Sequence, residues 1–219
     1  GDVYKRQVTL NSGALNLFAN TNMATGSQTL TLGGLTRSGT STSTVAFLAA
    51  SGLNTTGNIM VNSGAGGATT AGSVIGAWAT VGTAVNAQTD YAVYNASNQI
   101  VGAGTLTTLP TSGAVAGSAY QLGGALATTG SQEVQALKYT GGTATLTLGT
   151  GFTLATGGVL NAGSGALTIA GAGAGSALTG PVGGGNLILN TGNNQGIVVS
   201  GEIADNGGAT KLVITGPNT

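Results

Sequence analysis

Histidine and cysteine are both absent from the 219 residues, and charged side chains number only five basic and five acidic. Without cysteine there are no disulfides and no thiolate chemistry, and a long repetitive fold has no need of covalent staples. Without histidine no Ser-His-Asp triad can form, and no Ser-x-x-Lys takes its place among the many serines. The formal net charge is zero. No basic patch exists to neutralise phosphates, and no polybasic run exists to hold an anionic membrane surface, so nucleic acid and membrane are not expected as partners. The longest apolar stretches, such as residues 45–50, are far shorter than the ~20 residues that span a bilayer.

What fills the chain instead is glycine, at 42 residues, with threonine, serine, asparagine and small aliphatics. Low charge with high glycine suggests disorder only when hydrophobicity is also low. Here 41% of residues are hydrophobic and the mean hydropathy is +0.30, so there is enough Leu, Ile and Val to bury. A chain kept soluble by uncharged polar groups points to an extracellular β-rich protein rather than a cytosolic enzyme.

Residues 1–7 differ from the rest, holding three of the ten charges in Asp2, Lys5 and Arg6. The string Asp2-Val-Tyr-Lys-Arg-Gln7 resembles translated adapter read-through at the ends of metagenomic gene fragments, the alternative being a native N-terminal segment. The fold expectation therefore covers residues 8–219 as one fragment, with both of its ends read as cut and no signal peptide in view.

Helix signals are nearly absent and strand signals are dense. Short alternating runs recur: Thr29-Leu-Thr-Leu32, Asn58-Ile-Met-Val61, Ala144-Thr-Leu-Thr-Leu148, Ala166-Leu-Thr-Ile169, Asn186-Leu-Ile-Leu189 and Lys211-Leu-Val-Ile214. In most of them two aliphatics at i and i+2 share one face while Thr or Asn points the other way. Glycine closes each run, supplying the positive φ that sharp turns need. Units this short cannot bury a face alone, but stacked as turns of a solenoid they form one continuous narrow core. The pattern is clearest over residues 141–219. At ~20 residues per three-strand turn the chain makes about ten turns, and ~4.8 Å stacking gives a rod about 50 Å long. Residues 74–120 depart from it, carrying Trp78, Tyr91, Tyr94 and Tyr120. These aromatics are expected to fill a locally wider coil, with Trp78, Tyr91 and Tyr94 as an alternative platform for stacking on sugars.

Carboxylate chemistry has little to work with. Outside residues 1–7 the acids are Asp90, Glu133, Glu202 and Asp205. Only Glu202 and Asp205 lie close in sequence, and as an acid pair facing one groove they are the single candidate for glycoside chemistry. The competing reading puts Glu202 at a strand end and Asp205-Asn206-Gly207 in a turn, Asp205 capping backbone N–H groups. Lys211 adds at most a weak surface pair. No metal-ligand cluster, calcium nonapeptide or phosphate-binding glycine motif occurs, so no metal and no cofactor is expected. Thr-x-Thr pairs at Thr29/Thr31, Thr42/Thr44, Thr105/Thr107 and Thr145/Thr147 raise an ice-binding ladder, but their intervals are irregular. The silk-like Gly171-Ala-Gly-Ala-Gly-Ser176 occurs once and reads as a turn or spacer. Two N-glycosylation patterns, Asn54-Thr-Thr56 and Asn95-Ala-Ser97, carry no weight if the source is bacterial.

The stretch Gly207-Gly-Ala-Thr-Lys-Leu-Val-Ile-Thr-Gly-Pro-Asn-Thr219 resembles the autotransporter-associated β-strand repeat. That motif runs Gly, a hydrophobic residue, Thr-Lys, a gap, a hydrophobic triplet, then Gly-x-Asn-Thr. The gap is shortened here and Ala209 takes the first hydrophobic position. Leu32-Gly-Gly-Leu-Thr-Arg-Ser-Gly39 is a partial copy. Val74-Ile-Gly-Ala-Trp-Ala-Thr80, with Asp90-Tyr-Ala-Val-Tyr94 and Ile100-Val, is similar to a segment between repeats in large passengers of this kind. The resemblance implies a right-handed parallel β-helix forming an extended rod on a bacterial cell surface, held at the outer membrane through a region outside this fragment. It also implies structural or adhesin-like roles, no catalytic residues in the repeat, and flanking repeats of the same chain with host-surface or glycan ligands as partners. The runner-up is a carbohydrate-active or carbohydrate-binding β-helix.

Overall fold

The computed structural model describes residues 3–19, 28–39, 41–50, 53, 57–62 and 71–217. Among them there is no helix; the fold is all-β, built on sheets of parallel strands. The chain divides into two compact units, Gly1–Gly104 and Thr105–Thr219.

The first unit holds β1 (Val3–Lys5), β2 (Val8–Leu10), β3 (Ala14–Phe18), β4 (Gln28–Leu32), β5 (Leu35–Arg37), β6 (Thr44–Leu48), β7 (Gly57–Val61), β8 (Ala79–Ala84), β9 (Ala87–Tyr94) and β10 (Ile100–Gly102). Strands three apart in sequence pair in parallel: β1 with β4 and β4 with β7, β2 with β5, β3 with β6. The segment set aside as foreign includes β1, whose Val3 and Lys5 stand opposite Leu30 and Leu32. Pairing then changes character. β8 is parallel to β6, but β9 turns back antiparallel through the two-residue loop Val85-Asn86, and β10 turns back again. Where a locally wider coil was expected, residues 79–102 form an antiparallel meander. Its aromatics do fill core, Trp78 and Tyr91 being 8% and 1% exposed.

The second unit holds β11 (Thr107–Thr108), β12 (Ala119–Leu122), β13 (Leu126–Ala127), β14 (Gln132–Val134), β15 (Ala136–Tyr139), β16 (Ala144–Leu148), β17 (Thr153–Thr156), β18 (Gly158–Asn161), β19 (Leu167–Gly171), β20 (Ala177–Thr179), β21 (Gly185–Asn190), β22 (Ile197–Val199), β23 (Glu202–Ala204) and β24 (Thr210–Thr215). From β12 onward the three-strand period is unbroken. β11, β12, β15, β18, β21 and β24 form one sheet in that order, β13, β16, β19 and β22 a second, and β14, β17, β20 and β23 a third. This arrangement fits a β-solenoid.

Register explains why such short runs suffice. Because side chains alternate across a strand, in-register stacking puts like on like from coil to coil. One inward row reads Tyr120, Leu137, Val159, Leu189, Ile214. A second reads Leu126, Leu146, Ile169, Val199. Leu154 and Leu178 stand in a third, and apart from the exposed Ile214 these rows lie in or pack against the buried cluster of the unit. Burying a leucine-sized side chain contributes ~1.5–3 kcal/mol, so each coil brings its own share of the core.

Glycine sits where coils meet at a corner. A Cβ placed on Gly141 would lie 2.4 Å from the Gly123 carbonyl oxygen, and one on Gly163 would lie 2.3 Å from the Gly141 carbonyl oxygen. Asn161, fully buried, locks the same corner: its Nδ2 donates to the carbonyls of Gly165 at 3.0 Å and Gly196 at 2.9 Å, and its Oδ1 accepts from the Gly163 N–H at 3.0 Å.

The two ends of this unit are unlike. At the β12–β14 end, residues 106–118 fold over the core, with Leu109 buried and Ala114 packed on the cluster. Gln132 fastens them, its Nε2 donating to the Pro110 carbonyl at 3.0 Å and its Oε1 accepting from the Ala114 N–H at 2.8 Å. The Tyr120 hydroxyl accepts from the Val115 N–H at 2.8 Å. At the other end β22, β23 and β24 are each the last strand of their sheets.

Candidate functional site

The aromatic candidates lie in the first unit. Trp78 precedes β8 and packs inward, its indole nitrogen so close to Gly76 that a Cβ there would come within 2.4 Å. The Arg37 guanidinium lies over the ring, 5.4 Å from its centroid. Arg37 is itself held by backbone carbonyls, Nε donating to Ser43 at 2.9 Å and Nη2 to Ser41 at 2.6 Å. Half-burial lowers the Arg37 pKa from its ordinary value, as removing water disfavours the cation. Tyr91 is enclosed on β9, and Tyr94 at the end of that strand is half-buried. The buried Tyr94 hydroxyl has no hydrogen-bond partner among the described residues, and burial pushes its pKa up to about 12. A sugar-stacking platform needs ring faces open to solvent. The Trp78 and Tyr91 faces are turned to the core, and Arg37 covers the Trp78 ring.

Glu202 and Asp205, three residues apart, both lie on the surface. Asp205 Oδ1 accepts the Thr210 backbone N–H at 2.7 Å, and the Thr210 hydroxyl donates to the Ala204 carbonyl at 2.9 Å. Asp205-Asn206-Gly207 is a turn with Gly207 at φ +73°, and the Asn206 carbonyl accepts from the Gly183 N–H of the coil below at 2.8 Å. The Asp205 carboxylate thus closes a turn.

Asp90 is the acid that sequence reasoning noted without choosing, and it lines a cavity. Its side chain is 9% exposed on β9. Oδ1 accepts from the Tyr91 N–H at 2.9 Å and Oδ2 from the Gly104 N–H at 2.7 Å. With Leu53, Val81, Gly82, Thr83, Thr89 and Gly102 it bounds a space of about 200 Å³. Both oxygens are used on backbone donors, tying β9 to the segment that follows β10. No sequence signal pointed to this, since Gly104 lies fourteen residues on.

Among the described residues no group of three or more His, Cys, Asp or Glu could hold a metal ion, and no helix is long and apolar enough to cross a membrane. The Thr-x-Thr pairs do not continue from coil to coil. Thr145 and Thr147 face Thr168 and Ala170, and Thr168 in turn faces Val198; Thr29 and Thr31 face Asn58 and Met60. Asn95 of the second glycosylation pattern caps the β9–β10 turn, Oδ1 accepting from the N–H groups of Ser97 at 2.9 Å and Gln99 at 3.0 Å. The pattern at residues 54–56 lies outside the described residues, as do the last two residues of the C-terminal repeat motif. Compared with known proteins, the chain matches no family model, no curated protein and no solved structure.

Proposed function

We propose that this chain is a stretch of right-handed parallel β-helix serving as a non-catalytic structural or adhesive rod in a secreted or surface-displayed bacterial passenger protein. The observation that carries the reading is the three-strand period of the second unit. Parallel in-register ladders build one narrow apolar core and leave uncharged Thr, Asn, Ser and Gly on the outside. Right-handedness is the rule for parallel crossovers. A rod of this kind holds exposed loops away from a surface and offers a long uncharged face for weak multivalent contacts with host-surface or glycan ligands. On this reading its other partners are flanking repeats of the same kind. The use of Asp205 as a turn cap and the enclosure of Trp78 favour the rod over a carbohydrate-active helix.

The test is display. The chain is placed between an export signal and an outer-membrane barrel on a bacterial cell, and adhesion to glycan-coated surfaces is scored. The expected result is a surface-accessible, folded rod that raises adhesion without consuming the glycan. Glycan turnover that is lost in Glu202→Gln or Asp205→Asn would reverse the assignment in favour of an enzyme.

A further inference from the structure

The β8–β9 hairpin carries an irregularity that builds a cavity wall. Val81 stands opposite Asp90 and Gly82 opposite Gln88, so Thr89 is the extra residue of a β-bulge. Regular alternation would send Thr89 and Asp90 to opposite faces. Both instead line the same space of about 200 Å³. Re-aiming a side chain in this way is a recurrent use of bulges beside functional sites. Glycine keeps the wall open, since a Cβ on Gly102 would come 3.1 Å from Asp90 Oδ2.

Asp90 is the one ionisable residue among those that line the cavity. It is 9% exposed, and its carboxylate is fixed by the N–H groups of Tyr91 and Gly104, at 2.9 and 2.7 Å. Each carboxylate oxygen has two lone-pair sites, so a backbone donor positions it without barring a second donor. A single negative charge in a concave, partly apolar site focuses its field on whatever enters and favours a cation. Thr83 and Thr89, both exposed, add two hydroxyl acceptors, while Leu53 and Val81 supply apolar wall.

We propose that this cavity binds a primary ammonium carried on a short aliphatic stem, the chemistry of a lysine side chain or a small alkylamine. The three N–H donors of such a head match three acceptor side chains, Asp90, Thr83 and Thr89, and the stem lies along Leu53 and Val81. A guanidinium fits less well, because its fork takes both carboxylate oxygens at once and backbone N–H groups already hold both. A sugar ring fits less well too, since no aromatic residue lines the space. Pockets for drug-sized ligands run from about 300 Å³ upward, and this smaller one suits a single head with a few methylenes. The site makes no use of the rod's role.

The test is an NMR titration of the whole chain with n-pentylammonium, 1-pentanol and methyl glucoside at constant ionic strength. The expected result is saturable shifts of the Thr89, Gly102 and Gly104 amides with the ammonium. The alcohol and the glycoside should bind about tenfold or more weakly, for want of the charge-assisted bonds. Thr83→Val and Thr89→Val, isosteric changes at exposed positions, should each weaken ammonium binding about threefold or more at unchanged circular dichroism. Asp90→Asn keeps the shape, removes the charge, and should abolish the preference for ammonium over alcohol. No saturable shift, equal binding of alcohol and ammonium, or tighter binding of the glycoside would each overturn the proposal. So would ammonium binding that survives both threonine changes at full strength. The parent titration and the threonine variants decide the matter even if Asp90→Asn does not fold.

Discussion

Arg37 lies over Trp78, 5.4 Å from the ring centroid, while two of its N–H groups are held by the carbonyls of Ser41 and Ser43. The cation sits at the end of β5 and the indole just before β8, so this contact joins two successive coils of the first unit. A half-desolvated cation–π pair is worth ~0.5–2 kcal/mol, and the two carbonyls freed by its loss add to that.

Arg37→Ala should therefore lower the stability of the first unit by ~1–3 kcal/mol and shift the emission of Trp78, the single tryptophan of the chain. Trp78→Ala should cost more, ~3–5 kcal/mol for a large buried aromatic. Chemical denaturation followed by circular dichroism measures both. A folded Trp78→Ala protein that had lost only glycan binding would restore the stacking-platform reading.

The glycine corners make a sharper test, because neighbouring glycines differ in what surrounds them. Gly141→Ala and Gly163→Ala each drive a methyl into a backbone carbonyl of the coil below. Backbone has little room to give, and overpacking of this kind costs ~1–3 kcal/mol or more. Gly142→Ala meets nothing within 4 Å and should be neutral or slightly stabilising through the unfolded chain. Equal melting temperatures for the Gly141 and Gly142 variants would refute the stacked-corner account.

Much of the strand content was legible because it is local. All six quoted runs fall on strands, and the i, i+2 aliphatics that paired Leu146 with Leu148 and Leu187 with Leu189 are the ones that face the core. The glycine that closes each run marked the corners for the same reason. The antiparallel meander was not legible: its β8–β9 turn is Val85-Asn86, without the Asn-Gly or Asp-Gly signal of a tight hairpin. Nor were the contacts that decide the candidate sites. Arg37 reaches Trp78, Asp90 reaches Gly104, and Gln132 reaches Pro110 across 22 residues, and alternation within one strand says nothing about partners on another coil. For Glu202 and Asp205 both an acid pair and a turn were open from sequence, and the Thr210 N–H is what distinguishes them.

That distinction has a direct consequence at the surface. Asp205→Ala removes the acceptor for the Thr210 N–H and should cost ~0.5–2 kcal/mol, as loss of a side-chain cap does. Asp205→Asn, which keeps an oxygen in place, should recover most of it. Glu202→Ala should stay within about 0.5 kcal/mol of the parent, as exposed substitutions usually do. Equal effects of Asp205→Ala and Glu202→Ala in thermal denaturation would mean that the cap contributes nothing.

The Gln132 clamp predicts a local effect. Gln132→Leu leaves the Ala114 N–H and the Pro110 carbonyl without their partner in a nearly dry site, and each orphaned group costs ~1–3 kcal/mol. The loss should show first as faster amide exchange over residues 106–118, since local opening precedes global unfolding where few contacts hold a segment. Uniform acceleration across the whole second unit, with no excess at Ala114, would mean that Gln132 supports the core and not the cover.

Tyr94 makes the stability of the first unit depend on alkali. Its folded pKa of about 12 stands above the ordinary value of 10.0 because burial disfavours the phenolate. The folded chain therefore holds a proton that the unfolded chain releases through the interval between those two values, and stability falls as pH rises across it. Below the lower value both states are protonated and the term is flat. Tyr139, enclosed in the second unit, is shifted in the same direction by the same cause, so the fall is not confined to one residue. Tyr94→Phe should remove the first unit's share of the alkaline slope and leave neutral stability little changed, because the hydroxyl has no hydrogen bond among the described residues to lose. Denaturation midpoints at neutral and alkaline pH, paired with tyrosinate absorbance, measure both quantities. A Tyr94→Phe protein with the parent's alkaline slope would mean that the phenol ionises freely in the folded state.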